Sequence, residues 1–143
     1  MKIVLDANLI AALVLPLAYS EAATTRILAW KHRQITLAAP ALWRYEVKTV
    51  LRKALVAGTL PADQVDIALE QIWAIHIEDV LATFELQQQA LAWAERLGQS
   101  KTYDSAYLAA AQALQSEFWT ADRRLAQSAQ HAGATWVYSI LES

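Results

Sequence analysis

Cysteine is absent from this 143-residue chain. Its absence excludes disulfides, thiolate metal centres and cysteine nucleophiles. Glycine and proline number only three each, while 56% of the residues are hydrophobic. That composition excludes a disordered chain and implies a well-filled core. Histidine is equally scarce: His32, His76 and His131 are far apart and make no zinc-type ligand spacing. Long apolar runs are missing too. Residues 9–15 are apolar but stop at Pro16, well short of the roughly 20 residues that a membrane-spanning helix needs. No charged leader precedes an apolar stretch with a cleavage site, so the protein is expected to be soluble and cytoplasmic. The net charge of −2 lacks the basic excess usual in proteins that track many phosphates.

What is present is an alternation of strand-like and helix-like segments, of a length that suits one compact domain over residues 1–143. Residues 3–5 form a buried-strand pattern ended by Asp6, and residues 8–15 read as a brief helix closed by Pro16. Ser20 is a preferred N-cap type for a helix through about Lys31. Residues 35–38 give a second strand. Pro40 suits the first position of a helix that runs to Gly58. Pro61 opens another, with Val65, Ala68, Leu69, Ile72 and Trp73 on one stripe. Residues 75–77 are a third strand candidate. Thr83 caps a helix ending at Gly98, and Thr102 caps one reaching about Leu114. Residues 117–120 are a fourth strand, residues 122–131 a helix and residues 135–137 a last strand. Strands alternating with helices imply an α/β fold with a mainly parallel sheet covered on both faces.

In such sheets, ligands bind outside the carboxyl ends of the strands. Asp6 follows the first strand and Asp122 follows the fourth. Asp104 lies in the first turn of the helix leading into that fourth strand. Glu46 lies about two turns into the helix after the second strand, on the margin of its apolar face. All four acids therefore belong near one edge. Each also has a plain structural role: Asp122 as a helix cap, Asp104 as a partner of the helix dipole, Glu46 as a solvated side chain, Asp6 as a turn residue. Brought together, however, four carboxylates repel one another, and a hard divalent cation such as Mg²⁺ relieves the repulsion. Acid clusters of this kind suit metal-assisted phosphodiester hydrolysis.

Four stretches in order, Ile-Val-Leu-Asp6-Ala-Asn8, Leu-Trp-Arg-Tyr-Glu46-Val, Tyr103-Asp104-Ser-Ala-Tyr-Leu-Ala and Trp-Thr120-Ala-Asp122-Arg-Arg-Leu, resemble PIN-domain ribonucleases, specifically the VapC-type toxins of toxin–antitoxin pairs. The resemblance covers nearly the whole chain. It implies a three-layer α/β/α sandwich with strand order 3-2-1-4-5. It also implies endonucleolytic cleavage of RNA, with Mg²⁺ or Mn²⁺ held by Asp6, Glu46, Asp104 and Asp122. Asn8 matches a polar position supporting the first acid, and Thr120 a hydroxyl supporting the last. A homodimer and a cognate antitoxin are implied as partners.

Lys53, Lys101, Arg123 and Arg124 are the basic residues best placed to meet phosphates near the acids. Arg44, Lys48 and Arg52 recur at i, i+4 and i+8 and are expected to form a solvated helix face. Most of the six tryptophans are expected to pack in the core or a dimer interface, His76 to be structural, and Tyr103 and Tyr107 to pack without a catalytic role. A haloacid-dehalogenase-type phosphatase needs an acid two residues after the first one, where this chain has Asn8. A receiver domain needs a late lysine, and none follows Lys101. The remaining alternative is a catalytically silent module of the same fold that binds an antitoxin or RNA without cutting.

Overall fold

The structure, a computed structural model, describes residues 1–141. Five strands form one sheet: β1 (Lys2–Leu5), β2 (Thr36–Pro40), β3 (Glu78–Val80), β4 (Glu117–Thr120) and β5 (Val137–Ser139). All pairings are parallel, in the order β3-β2-β1-β4-β5. β1 is central, and Ile3, Val4 and Leu5 are fully buried, as expected of a strand covered on both faces. Seven helices connect the strands: α1 (Ala7–Ala11), α2 (Ser20–His32), α3 (Trp43–Val56), α4 (Val65–Trp73), α5 (Phe84–Leu97), α6 (Tyr103–Ala113) and α7 (Arg123–His131). No helix among the described residues is long and apolar enough to cross a membrane.

The layering follows from the two-residue period of a strand. Phe118 of β4 stacks on Tyr107 of α6. Its neighbour Trp119 meets Trp30 of α2 edge-on. Adjacent strand residues point to opposite faces, so α6 and α2 cover opposite sides of the sheet. The result is the expected α/β/α sandwich with the expected strand order.

Several boundaries differ from the sequence reading, each for a local reason. Pro40 ends β2 instead of opening a helix: it is the last residue in register with β3, opposite Val80. The ladder continues only through the Ala41 N–H, which donates to the Val80 carbonyl. Residues 75–77 are not a strand, because the end of α4 consumes them. The Ile75 and His76 N–H groups donate back to the Ile72 and Trp73 carbonyls, and His76 has a φ of +62°. β3 begins only at Glu78. The last strand is likewise displaced, to Val137–Ser139, by the close of α7. Gly133 takes a φ of +101°, and the Ala134 N–H donates to the Ala129 carbonyl, a left-handed helix ending that glycine permits without strain. Ser20 is not an N-cap; its hydroxyl donates to the Leu15 carbonyl and accepts from the Leu17 N–H, closing the preceding loop. The first helix is shorter than expected, ending at Ala11. Thr83 and Gly98 act as expected at the ends of α5, the threonine accepting from the Leu86 N–H and the glycine adopting a φ of +66°.

Arg44 leaves the expected solvated face. Its Nε donates to Asp79 at 3.0 Å, and its guanidinium lies 4.7 Å from the Trp43 ring centre and 4.6 Å from that of Trp73. The Trp43 Nε1 donates to the same carboxylate at 2.8 Å. One half-buried acid thus ties α3 to β3, and Trp73 of α4 joins the stack. Trp30, Trp43 and Trp93 are in the core as expected, whereas Trp73 is largely exposed.

Phe118 is completely buried between β1 and α6. The Phe118→Ala substitution is expected to cost about 3–5 kcal/mol. Urea unfolding followed by circular dichroism checks this: the midpoint should fall with little change in slope. A loss under 1 kcal/mol would contradict the packing described.

Candidate active site

The strand order reverses direction around β1, with β2 on one side and β4 on the other. The carboxyl ends of β1 and β4 therefore open onto a crevice, the position at which doubly wound sheets bind ligands. α3 and α6 begin at that edge. α3 starts at Trp43, later than the sequence suggests, so Glu46 falls in its first turn and not two turns in. The late start moves the acid closer to the crevice.

Asp6, Glu46, Asp104 and Asp122 all line one cleft of about 620 Å³, together with Asn8 and Lys53. Four separate elements deliver them: the end of β1, the start of α3, the start of α6 and the turn after β4. None of the four is ion-paired to a basic side chain among the described residues; the ion pairs there are Lys2–Glu78 and Arg44–Asp79. No three acidic or histidine side chains among the described residues converge tightly enough to enclose a metal ion.

Asp6 is the most restrained of the set. It caps α1, with Oδ1 accepting from the Leu9 N–H at 2.9 Å, while Oδ2 accepts from the Thr120 hydroxyl and the Ala121 N–H. Burial raises its pKa from the usual 3.8 to about 6; these three hydrogen bonds oppose the rise, and the charge of Asp104 adds to it. Thr120 also accepts from the Asp122 N–H at 3.0 Å. Its hydroxyl hydrogen thus serves the first acid, whereas the sequence reading assigned Thr120 to the last. Asn8 lines the cleft but is not among the hydrogen-bond partners of Asp6. The expected support from Asn8 is supplied instead by Thr120 and two backbone N–H groups.

Glu46 is half-buried and accepts from the Tyr107 hydroxyl at 2.7 Å. Burial holds its pKa above the normal glutamate value, partly offset by Tyr107 and reinforced by Asp104. Asp104 is also raised, by burial first and then by the charge of Asp122; a weak contact from Gln99 at 3.4 Å lowers it. Asp122 is exposed and caps α7, its Oδ1 accepting from the Leu125 N–H at 3.0 Å. The capping role expected for Asp122 and its place in the cleft therefore coexist.

Tyr107 is the residue that sequence reasoning missed. It is buried, and its hydroxyl donates to Glu46. Burial, the Glu46 charge and the Glu46 hydrogen bond all push its own pKa upward. Its position one turn beyond Tyr103 in α6 was the only available signal, and it did not separate a packed ring from a hydrogen-bonded one. Among the basic candidates, Lys53 lines the main cleft and Lys101 lines an adjoining groove with Glu46, Tyr103 and Asp104. Arg123 turns instead to the Leu141 carbonyl, and Arg124 is exposed on α7. Neither arginine lines the cleft.

Comparison with known proteins agrees with this architecture. Ribonuclease VapC3 of Pyrobaculum aerophilum is 34% identical over 129 residues, covering 89% of this chain and 94% of the relative. The crystal structure of PAE2754 from the same organism has a TM-score of 0.68 over 99% of this chain and 93% of that one, at 22% identity, a likeness of fold. The PIN-domain family model matches residues 4–135. The chain belongs to the PIN-domain family.

Proposed function

We propose that this protein is a divalent-metal-dependent endoribonuclease of the VapC type, the toxin of a toxin–antitoxin pair acting in the cytoplasm. The observation that carries the reading is the cleft itself: four carboxylates from four elements, with no basic side chain neutralising them among the described residues. A relative named as a ribonuclease over nearly its whole length supports the choice of RNA.

The donor set fits a hard cation. Every candidate ligand is a carboxylate oxygen, which suits Mg²⁺ or Mn²⁺. A bound ion would polarise a phosphoryl oxygen and make a coordinated water more acidic. The protein's own residues have distinct parts in this reading. Thr120 and the Leu9 and Ala121 N–H groups fix Asp6, and Tyr107 fixes one oxygen of Glu46. Asp104 and Asp122 are less restrained, and ligation would draw them inward. A cognate antitoxin would act by covering the cleft, and the family habit of pairing makes a homodimer the expected assembly.

The direct test is incubation of the purified protein with labelled single-stranded RNA and Mg²⁺ or Mn²⁺. Cleavage is expected, and EDTA should abolish it. Asp6→Asn, Glu46→Gln, Asp104→Asn and Asp122→Asn should each slow cutting by about a hundredfold or more, a loss of roughly 3 kcal/mol in transition-state stabilisation, with unchanged circular dichroism. Cutting that persists in EDTA would overturn the metal mechanism. A metal-binding protein that cuts no RNA would favour the silent binding module.

The electrostatics give a second test. A carboxyl whose folded pKa is raised stabilises the fold below its unfolded pKa, and that stability is lost as pH rises through the folded value. For Asp6 the window runs from about 4 to about 6, and Glu46 and Asp104 act in the same direction. The Asp6 contribution is on the order of 3 kcal/mol. The metal-free melting temperature should therefore rise as pH falls from 7.5 to 5, and Asp6→Asn should flatten that rise. Added Mg²⁺ should raise the melting temperature at pH 7.5 and much less at pH 5, where protons compete for the ligands. A metal-free protein that loses stability steadily on acidification would contradict this arrangement of charge.

A further inference from the structure

Two exposed rings stand at the acidic cleft. Tyr45 is 71% exposed and Tyr103 is 58% exposed, yet both line it. Each immediately precedes an acid, as Tyr45-Glu46 and Tyr103-Asp104. Consecutive helical residues point about 100° apart, so each ring lies beside its carboxylate and not on top of it. Tyr107, one turn beyond Tyr103, shows the contrast: it is buried and bonded to Glu46. Burial accounts for Tyr107 and does not account for Tyr45 or Tyr103.

The cleft is also not isolated. A second groove of about 510 Å³ shares Glu46, Tyr103 and Asp104 with it and adds Lys101. Lys53 lines the first groove and Lys101 the second. A strand laid through both would meet a cation, the acids with their rings, and a second cation. The lysines complement phosphates on either side of the carboxylates. The rings complement the π-faces that unpaired bases present and that a duplex keeps stacked inside. Other exposed apolar side chains, such as Phe84 and Leu91 of α5, do not line this path.

We propose that Tyr45 and Tyr103 are base-stacking subsites that hold single-stranded RNA across the carboxylates and reject duplex. The proposal rests on the ribonuclease reading for the identity of the strand. Stacking of this kind is tolerant of sequence, and removing one ring weakens binding by about five- to a hundredfold.

The test uses the full chain and a fluorescein-labelled RNA 10-mer, single-stranded or as a blunt duplex, titrated in EDTA and followed by anisotropy. Tyr45→Ala and Tyr103→Ala are expected to weaken single-strand binding five- to a hundredfold, while Tyr45→Phe and Tyr103→Phe stay within about twofold of wild type. A 2-aminopurine base in the same strand should be quenched by wild type and by the Phe variants, and not by the double Ala variant. Both positions are exposed, so circular dichroism should not change. Ala variants that bind as wild type does, a duplex bound as tightly as the single strand, or a wild type that binds neither RNA would each overturn the proposal. The two readings separate cleanly: stacking without cutting in Mg²⁺ sinks the nuclease and keeps the subsites. Cutting with Kd and KM unchanged in the Ala variants sinks the subsites and keeps the nuclease.

Discussion

A buried carboxylate at the end of the central strand is the constraint around which this molecule is arranged. Asp6 leaves β1 almost wholly buried at the floor of the cleft, and its charge is tolerated because three donors converge on it. One donor comes from α1, one from the last residue of β4 and one from the turn after it. An unpaired carboxylate in that position would cost several kcal/mol. The same contacts that satisfy the acid also register β1 against β4, since the Asp6 N–H donates to the Trp119 carbonyl beside them. Stability and the candidate chemistry therefore draw on one set of hydrogen bonds.

The other three acids are held more loosely, in a gradient that runs outward. Glu46 has one strong donor in Tyr107, Asp104 has one weak contact with Gln99, and Asp122 is exposed with one oxygen committed to a helix cap. A firmly held inner acid with less restrained outer ones suits the proposed metal-dependent reading, because Mg²⁺ sheds water reluctantly and keeps several of its ligands as water. Repulsion between neighbouring acids adds to burial in raising Asp6, Glu46 and Asp104.

Away from the cleft, the sheet edge is secured by a different device. Asp79 on β3 accepts from both Trp43 and Arg44, and the guanidinium lies against two indoles whose ring centres are 5.4 Å apart. This fixes the first turn of α3, the turn that carries both Tyr45 and Glu46. The position of one acid and one exposed ring thus depends on a salt bridge that does not face the cleft.

The amino-acid order alone determined the number and sequence of strands, because the apolar run at residues 3–5 and the Phe118-Trp119 pair flanked by helical segments leave short buried strands as the natural reading. It also determined which acids fall at the carboxyl edge, since Asp6 and Asp122 follow strands directly and Asp104 opens a helix. Boundaries were less legible where helix endings compete with strands: at His76 and Gly133 a left-handed turn consumed residues that look β-forming. Partners were not legible at all. Thr120 turning to Asp6, Tyr107 to Glu46, Arg44 to Asp79 and Arg123 to Leu141 are contacts between residues 18 to 114 positions apart. Periodicity records which face a side chain occupies, and it carries no information about what lies across from that face. Only the packing of α3, α6 and β4 around β1 decided which polar atoms would meet, because buried donors and acceptors must find one another once water is removed.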